Sequence, residues 1–496
     1  MTDQNTPTYE VAIIGLGPVG ATLANLLGQM GVCVVALESS EEISLLPRAV
    51  AFDDEAMRIF QSFGLSEAMN NIAEPGEGAR FVDSDNKTIV YWERPMVRTP
   101  NGWFVNYRFN QPELEKTLRE STARFPSVSI KLGSEVVGLT PLDHGAELTY
   151  VQGGQEHTLR AAYVVGCDGG RSFTRQRMSV KFEDLGFHEE WLIVDLLLPE
   201  READPDRFTY HYCGLSRMGS KVFVGSKRKR WELRLNEADD RKTIQSPGVV
   251  WDILKPWITP AEAEIERTAV YTFHSTIAEQ WRSGRVLIAG AAAHQTPPFM
   301  GQGMCAGIRD ASNLAWKLEH VLRRGAPDQL LDTYECERSP HVREYINLTV
   351  EFGKLINNTA KSVSRGNPTD IGGGRQTVAQ LRPKLGPGIT AGDTSKRGRM
   401  LPQFSKDDGG LLDDVTGYSC ALLLAQGIGN TIDDSLRSDF TAGGVEIIDN
   451  PGQGAQSWLE DAEAIAVLIG ADRNVIGTVQ AAQEIAQLHP ANWTYS

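Results

Sequence analysis

Three glycines are the residues best placed to do chemistry in this chain. Gly15, Gly17 and Gly20 fall in the run Gly15-Leu16-Gly17-Pro18-Val19-Gly20, directly after the apolar stretch Val11-Ala12-Ile13-Ile14. In such a run the first glycine permits a tight turn, the second lets the backbone approach a pyrophosphate, and the third lets helix and strand pack closely. The anion rests on the helix N-terminus, where unpaired amides and the dipole favour negative charge. A second apolar run, Cys33-Val34-Val35-Ala36-Leu37, ends at Glu38, 18 residues beyond Gly20. A carboxylate there can accept both hydroxyl hydrogens of a ribose. The glycine spacing alone also describes an ordinary strand-to-helix turn. With strand, helix, second strand and terminal acid in order it points to a dinucleotide, whose kind the loop leaves open.

Other candidates lie further along. The apolar strand Ala162-Tyr163-Val164-Val165-Gly166-Cys167 ends in Asp168-Gly169-Gly170-Arg171. A third apolar strand, Arg285-Val286-Leu287-Ile288-Ala289, leads through Gly290 into a loop rich in proline and glycine. After it, Ile308, Ala311, Ala315, Leu318 and Leu322 form the apolar face of a helix beginning near Gly303. His211 and Tyr212 are candidates for proton transfer, in the strand-like run Phe208-Thr209-Tyr210-His211-Tyr212. Strand side chains alternate, so at most one of the two faces a pocket; a surface histidine and a sheet tyrosine are the plain alternative. His294 reads as a structural hydrogen-bonding residue, with catalysis as the lesser alternative, and Asp53 and Asp54 as helix caps that could also border a pocket. The basic run Lys227-Arg228-Lys229-Arg230 reads as a solvated strand end rather than a binding patch, with steering of an anionic substrate or NAD(P)H as the alternative.

The elements that must position these groups follow from pattern and composition. From 183 to 280, short alternating runs rich in β-branched and aromatic residues predict an antiparallel sheet. Residues 364–400, rich in Gly, Pro, Ser and Thr, read as a connecting segment, and 401–496 as a compact α/β stretch with strands near Tyr418 and Ala466. A length of 496 residues suggests roughly three domains at ~150 residues each. Its 49 Lys plus Arg against 64 Asp plus Glu leave a net charge of −15, which argues against a nucleic-acid partner. Six cysteines, none closer than 31 residues to another, exclude a CxxC redox pair or a thiolate zinc knuckle and suit a reducing cytoplasm. No run approaches the ~18 to 20 apolar residues of a membrane span, and the first ten residues lack the pattern of a signal peptide. The expectation is a cytoplasmic protein without a membrane partner.

With Leu46-Pro47-Arg48-Ala49, Asp53-Asp54-Glu55-Ala56, Asn110-Gln111-Pro112, Asp168-Gly169, the segment 286–307 and Arg309-Asp310-Ala311 added, the chain resembles the single-component FAD-dependent aromatic hydroxylases, over roughly residues 1–350. Within that group, which includes para-hydroxybenzoate hydroxylase, it is most similar to 3-(3-hydroxyphenyl)propionate hydroxylases. The resemblance implies a mixed α/β architecture. A Rossmann-like FAD-binding domain would be assembled from 1–75, 106–182 and 281–363, with an antiparallel-sheet substrate domain from 76–105 and 183–280. A linker at 364–400 and a thioredoxin-like C-terminal domain at 401–496 would follow; with Cys420 alone that last domain cannot exchange dithiols and would serve packing or a homodimer contact.

The resemblance also implies roles. Gly15, Gly17 and Gly20 would hold the FAD pyrophosphate, Glu38 the adenosine ribose, Arg48 would lie over the pyrophosphate and Gln111 near the ribityl chain. Asp168 and Gly169 would serve FAD and the path of NADH or NADPH. Gly290 would begin the third FAD contact, Pro298 would face the reactive edge of the flavin, and Gly301, Gly303 and Met304 would offer amides to its N1–C2=O edge, where a helix N-terminus stabilises the reduced flavin's charge. The implied reaction is hydroxylation of a phenolic compound, such as a hydroxyphenylpropionate-type acid, by NAD(P)H and O2 through a flavin C4a-hydroperoxide. The alternatives are another phenol (a nitrocatechol or polyketide phenol), a flavin oxidase or dehydrogenase, and a flavin-poor non-catalytic relative. Ala291 favours the last, because the family usually carries aspartate there. Cys305 stands where many relatives have asparagine and reads as a small core residue.

Overall fold

Parallel pairing of strands far apart in sequence builds the half of the molecule that carries the glycine loop. The computed structural model describes residues 9–45, 48–199, 206–213, 217–225, 227–364, 374–377, 382–405 and 409–495. In the eight-stranded sheet, Val286–Ile288, Gln155–Gly166, Tyr9–Ile14, Val34–Leu37 and Val128–Lys131 are neighbours in that order, all joined in parallel. These strands are apolar at successive positions because both faces are covered. Val11, Ile13, Val34 and Ala36 pack on Leu23, Leu26 and Leu27 of the helix Pro18–Gln29. Ala12, Ile14, Val35 and Leu37 pack on Val136, Leu148 and Tyr150 of a three-strand meander. The helix Gln302–Arg323 runs alongside Pro18–Gln29 on the first of these faces.

A nine-stranded sheet forms the second layer. Its longest strands, Phe182–Leu197 and Glu264–Ala278, exceed the short runs expected from sequence, because register shifts at Asp184/His188 and Asp195/Leu196 let them bend without ending. The sheet is mostly antiparallel, but Phe208–Tyr212 pairs in parallel with Gly78–Val82, and Gly374–Thr377 with Thr88–Glu93. The helix Pro247–Leu254, which the alternation pattern did not suggest, helps cover the face carrying Leu192, Val194, Trp231 and Leu233. A small sheet of Ala51–Asp53, Asn106–Phe109 and Ala73–Pro75 lies between the layers in sequence.

The C-terminal stretch holds a four-stranded mixed sheet in the order Val445–Ile448, Cys420–Leu424, Ala466–Ile469, Val475–Val479. Its Cys420, Leu422 and Leu468 share one apolar cluster with Trp316 and Leu318 of the helix Gln302–Arg323. The segment expected as a connector is packed wherever it is described beyond residue 381. Leu385, Ile389 and Ala391 are buried, Ile389–Thr390 pairs with Thr494–Tyr495, and Arg382 bonds the buried Asp54 and Glu55. Its glycines serve close approach: a Cβ at Gly388 would lie 2.2 Å from Glu337 Oε1. The rest of that expectation, apart from Gly374–Thr377, falls outside the described residues.

Candidate cofactor and active site

The C-terminal ends of the parallel strands open on a cavity of about 620 Å³. Gly15, Gly17, Glu38, Asp168 and Gly169 line it from the strand ends, and Arg48 and Gln111 from the adjoining loop and helix. Pro298, Gly301, Gly303 and Met304 close its far wall. Open α/β sheets place ligands in this kind of crevice. Gly20 and Gly290 are not on its wall. A Cβ on Gly20 would lie 2.0 Å from the Gly15 carbonyl oxygen, so this glycine lets the helix close on the turn. Gly290 has φ +62° and donates its N–H to Asp310 Oδ2 at 3.0 Å.

The turn forms because Gly15 takes φ +93°, where a Cβ would sit 2.7 Å from the Cys167 carbonyl oxygen. Gly17 is different: its φ of −68° suits any residue, and nothing lies within 4 Å of where its Cβ would be. The helices starting after Gly17 and Gly301 have neither a side-chain cap nor an acid in the first turn. Both therefore present amides in want of an acceptor at the cavity. The residues fit FAD on these grounds, since a pyrophosphate would complete one helix end and an electron-rich ring edge the other.

The polar side chains around this cradle are fixed by the protein itself. Glu38 Oε2 accepts the Leu16 N–H at 2.8 Å, and Oε1 the Ser40 N–H at 3.1 Å. Gln111 Oε1 accepts the N–H groups of Arg48 and Ala49, each at 2.8 Å, so this side chain shapes the loop that presents Arg48. Asp168 accepts from Ser172 Oγ at 2.6 Å and from the Thr174 N–H at 2.9 Å. Its carboxylate is committed to the short helix Phe173–Arg177.

A second cavity of about 900 Å³ shares Arg48, Asp168, Glu232, Phe273, Ala291 and Gly303 with the first. Its remaining wall includes Ile193, Arg230, Val270 and Tyr271 from the nine-stranded sheet. Register decides between the two proton-transfer candidates. His211 pairs with Ser220, Ser220 with Glu232, and Glu232 with Ile193, so all four share the face that carries the cavity wall. Tyr212 points to the other face and packs on Trp257, which removes it from the site. His211 is buried beside Phe81, with Nδ1 2.7 Å from Ser220 Oγ, and is not itself on the wall of either cavity. Burial, helped by the positive charge of Arg108, lowers its pKa to about 4.

His294 is buried with Nε2 2.7 Å from Asp310 Oδ2, the structural bond expected of it. Asp53 caps its helix by accepting the Ala56 N–H at 3.0 Å and pairs with Arg309, while Asp54 accepts from Asn101 at 3.0 Å; neither lines these cavities. Cys305 is fully buried, and burial raises its thiol. The basic run departs from expectation, because Arg230 is 1% exposed and bonded to Asp195 at 2.6 and 2.9 Å. Sequence reasoning missed Glu232 and Phe273, which reach the site through strand register, and Arg119, whose Nε donates to the Leu16 carbonyl at 2.9 Å. For Arg119, the i,i+4 spacing from Glu115 on the helix opened by Gln111 was the available signal.

Comparison with known proteins agrees with this geometry. The family model described as "FAD binding domain" matches residues 8–349. The chain is 36% identical over 503 residues to a probable NADH-specific resorcinol 4-hydroxylase of Rhodococcus jostii (strain RHA1), covering 97% of this chain and 93% of the relative. It is 34% identical over 441 residues to a 3-(3-hydroxy-phenyl)propionate/3-hydroxycinnamic acid hydroxylase of Burkholderia cenocepacia (strain HI2424), covering 85% and 80%. In fold it is similar to aklavinone-11 hydroxylase solved with FAD and aklavinone, at TM-score 0.79, 19% identity and 98% and 99% coverage. The p-nitrophenol 4-monooxygenase PnpA of Pseudomonas putida DLL-E4 gives TM-score 0.66 at 22% identity, over 74% of this chain and 95% of that one. The chain belongs to the FAD-binding-domain family of flavin-dependent aromatic hydroxylases.

Proposed function

We propose that this protein uses FAD, NADH and dioxygen to hydroxylate a phenol that carries a meta substituent. The observation that carries the reading is convergence: Gly17, Asp168 and Gly303, from separate parts of the chain, line one cavity that shares a wall with a second under the sheet. Resorcinol and 3-(3-hydroxyphenyl)propionate, named for the two relatives, are both phenols substituted at the meta position, and the first relative is named NADH-specific.

When bound, FAD would supply the chemistry of hydride acceptance from NADH and of dioxygen activation for oxygen transfer to an arene. The residues of this chain do the rest. Gly17 and the helix behind it would hold the pyrophosphate, and the amides at Gly301 to Met304 would stabilise negative charge on the flavin ring edge. Phe187 and Trp191 each stand edge-to-face on Phe299, the residue after Pro298, and form an apolar cluster next to the loop that would hold the flavin. A phenolate is a far better nucleophile than a phenol, so a proton must leave. Of the two candidates only His211, neutral at pH 7 and bonded to Ser220, lies on the sheet face that carries the cavity wall; since it lines neither cavity, we assign it a positioning role behind that wall.

The same reading divides the chain into a cofactor unit of 1–75, 106–182 and 281–363, a substrate unit of 76–105 and 183–280, a connector at 364–400 and a thioredoxin-like unit at 401–496. A cytoplasmic setting belongs to the proposal and is in keeping with six free cysteines. It is tested by supplying the FAD-loaded protein with NADH and a panel of phenols and measuring NADH loss and hydroxylated product together. Matched amounts with a meta-substituted phenol are expected. NADH loss that yields peroxide alone with every phenol would overturn the reading.

A further inference from the structure

One carboxyl stands where the two cavities meet. Glu232, within the strand Arg228–Arg234, lines both the cofactor cavity and the second cavity. Its side chain is 15% exposed, and its contact with Arg230 Nη1, at 3.8 Å, is beyond hydrogen-bond reach. Among the described residues neither of its carboxylate oxygens accepts a hydrogen bond. Arg230 does not depend on it, being held by Asp195 at 2.6 and 2.9 Å.

The other titratable groups on the wall of the second cavity are committed. Asp168 accepts from Ser172 and Thr174, His294 is bonded to Asp310, and His274 Nδ1 lies 2.7 Å from His188 Nδ1. Tyr271 carries a phenol, the same group as the substrate, and gains nothing as a proton acceptor. The arginines of that wall have no acceptor atom. Pairing with Ile193 on one side and Ser220 on the other fixes Glu232 in the middle of the sheet, so its carboxyl is aimed by rigid backbone. Burial raises that carboxyl, and the charges of Arg230 and Arg108 oppose the rise without cancelling it. Besides these two arginines, Arg48, Asp168 and Tyr271 are the groups that face it from the walls of the second cavity. A carboxylate raised toward the working pH is a better general base than an ordinary one.

We propose that Glu232 is the catalytic residue that takes the proton from the phenol of the substrate. The phenol O–H bond breaks with its electron pair left on oxygen, the proton passes to a carboxylate oxygen of Glu232, and the phenolate supplies the electron-rich ring that hydroxylation requires. Glu232 regains its charge by giving the proton to water before the next turnover. The inference rests on the hydroxylase reading above and supplies the acceptor that His211, behind the wall, does not provide.

The test compares FAD-loaded wild type, Glu232→Gln and Glu232→Asp on the phenol that wild type hydroxylates best, measuring product per NADH consumed from about pH 4 to about pH 10. Wild type should lose product as pH falls through the raised pKa of Glu232. Glu232→Gln should form at least about 10²-fold less product near pH 7 while still consuming NADH, and should recover as pH approaches phenol ionisation near 10. Its remaining acid limb should lie lower, where His211 is protonated at about 4. Glu232→Asp keeps a carboxylate one methylene further back and should retain the wild-type limb at an intermediate rate, which decides the matter if the Gln variant folds poorly. A second readout needs no turnover: the dissociation constant of the same phenol from the NADH-free protein, followed by flavin absorption, should rise in acid for wild type and stay level over that range for Glu232→Gln. Equal product per NADH and equal pH profiles in the three proteins would overturn the inference and leave the hydroxylase reading standing. So would a loss in Glu232→Gln of the same size at every pH, the signature of a side chain that only fills the wall. A wild type that hydroxylates no phenol in the panel would overturn the reading and the inference together.

Discussion

His294 Nε2 and Asp310 Oδ2 lie 2.7 Å apart, both side chains are buried, and the pair ties the start of the flavin loop to the helix that follows it. Asp310 also accepts from Arg338 Nε at 2.9 Å and from the Gly290 N–H. Burial alone would raise the Asp310 carboxyl, but the charges and hydrogen bonds of His294 and Arg338 outweigh it and hold the pKa below the usual value. A depressed carboxyl contributes stability above its unfolded pKa of about 3.9 and loses it as pH falls through the folded value. Asp310→Asn, which leaves Arg338 buried without its counter-charge, is expected to cost about 3 to 5 kcal/mol at pH 7. Urea unfolding at pH 7 and below pH 4 measures this, and the gap between variant and wild type should narrow in acid.

Gly17 and Gly20 separate binding from folding. Gly17→Ala has room and an ordinary φ, so the melting temperature of the FAD-free protein should be unchanged while FAD affinity falls. Gly20→Ala meets the Gly15 carbonyl at 2.0 Å, so the turn itself should open and melting temperature should drop. Thermal melts with and without FAD distinguish the two effects.

Ala291 lies exposed at the wall shared by both cavities. Restoring an acid with Ala291→Asp adds a charge-assisted bond worth about 1.5 to 3 kcal/mol, and FAD affinity should rise roughly tenfold to a hundredfold. Fluorescence titration of flavin into the apoprotein measures it. An unchanged constant would show that the cradle already satisfies the ribityl chain by other contacts.

The two neighbours in the substrate strand should behave unequally. His211→Asn, which removes a buried ring bonded to Ser220 and packed on Phe81, is expected to lower hydroxylation by up to about 10²-fold through misplacement of the cavity wall, by a similar factor at pH 7 and near pH 10. Wild-type activity should fall in acid as His211 is protonated near its value of about 4. Tyr212→Phe, on the far face against Trp257, should stay within twofold at every pH.

The cofactor half was legible in sequence because its signals are local. Gly15 to Gly20 need only a strand before them and a helix after, and Glu38 ends the next strand. The substrate half was not, because its site residues meet through pairing across strands. Whether His211 or Tyr212 faced the pocket depended on a register running through Ser220 and Glu232 to Ile193, which no local pattern specifies. Arg230 misled for a related reason: a basic run looks solvated until Asp195 pairs with it from the adjacent strand. The packing of residues 382–400 was not legible, because glycine that permits close packing is indistinguishable in composition from glycine that permits motion.

The central claim is that one cavity holds a flavin that inserts oxygen into a phenol offered from the sheet. Its most direct test is turnover of the FAD-loaded protein with NADH and a meta-substituted phenol under ¹⁸O-labelled dioxygen, with mass spectrometry of the product. The account predicts one labelled oxygen atom in the new hydroxyl group. A product oxidised without label, or label recovered only in peroxide and water, would contradict it.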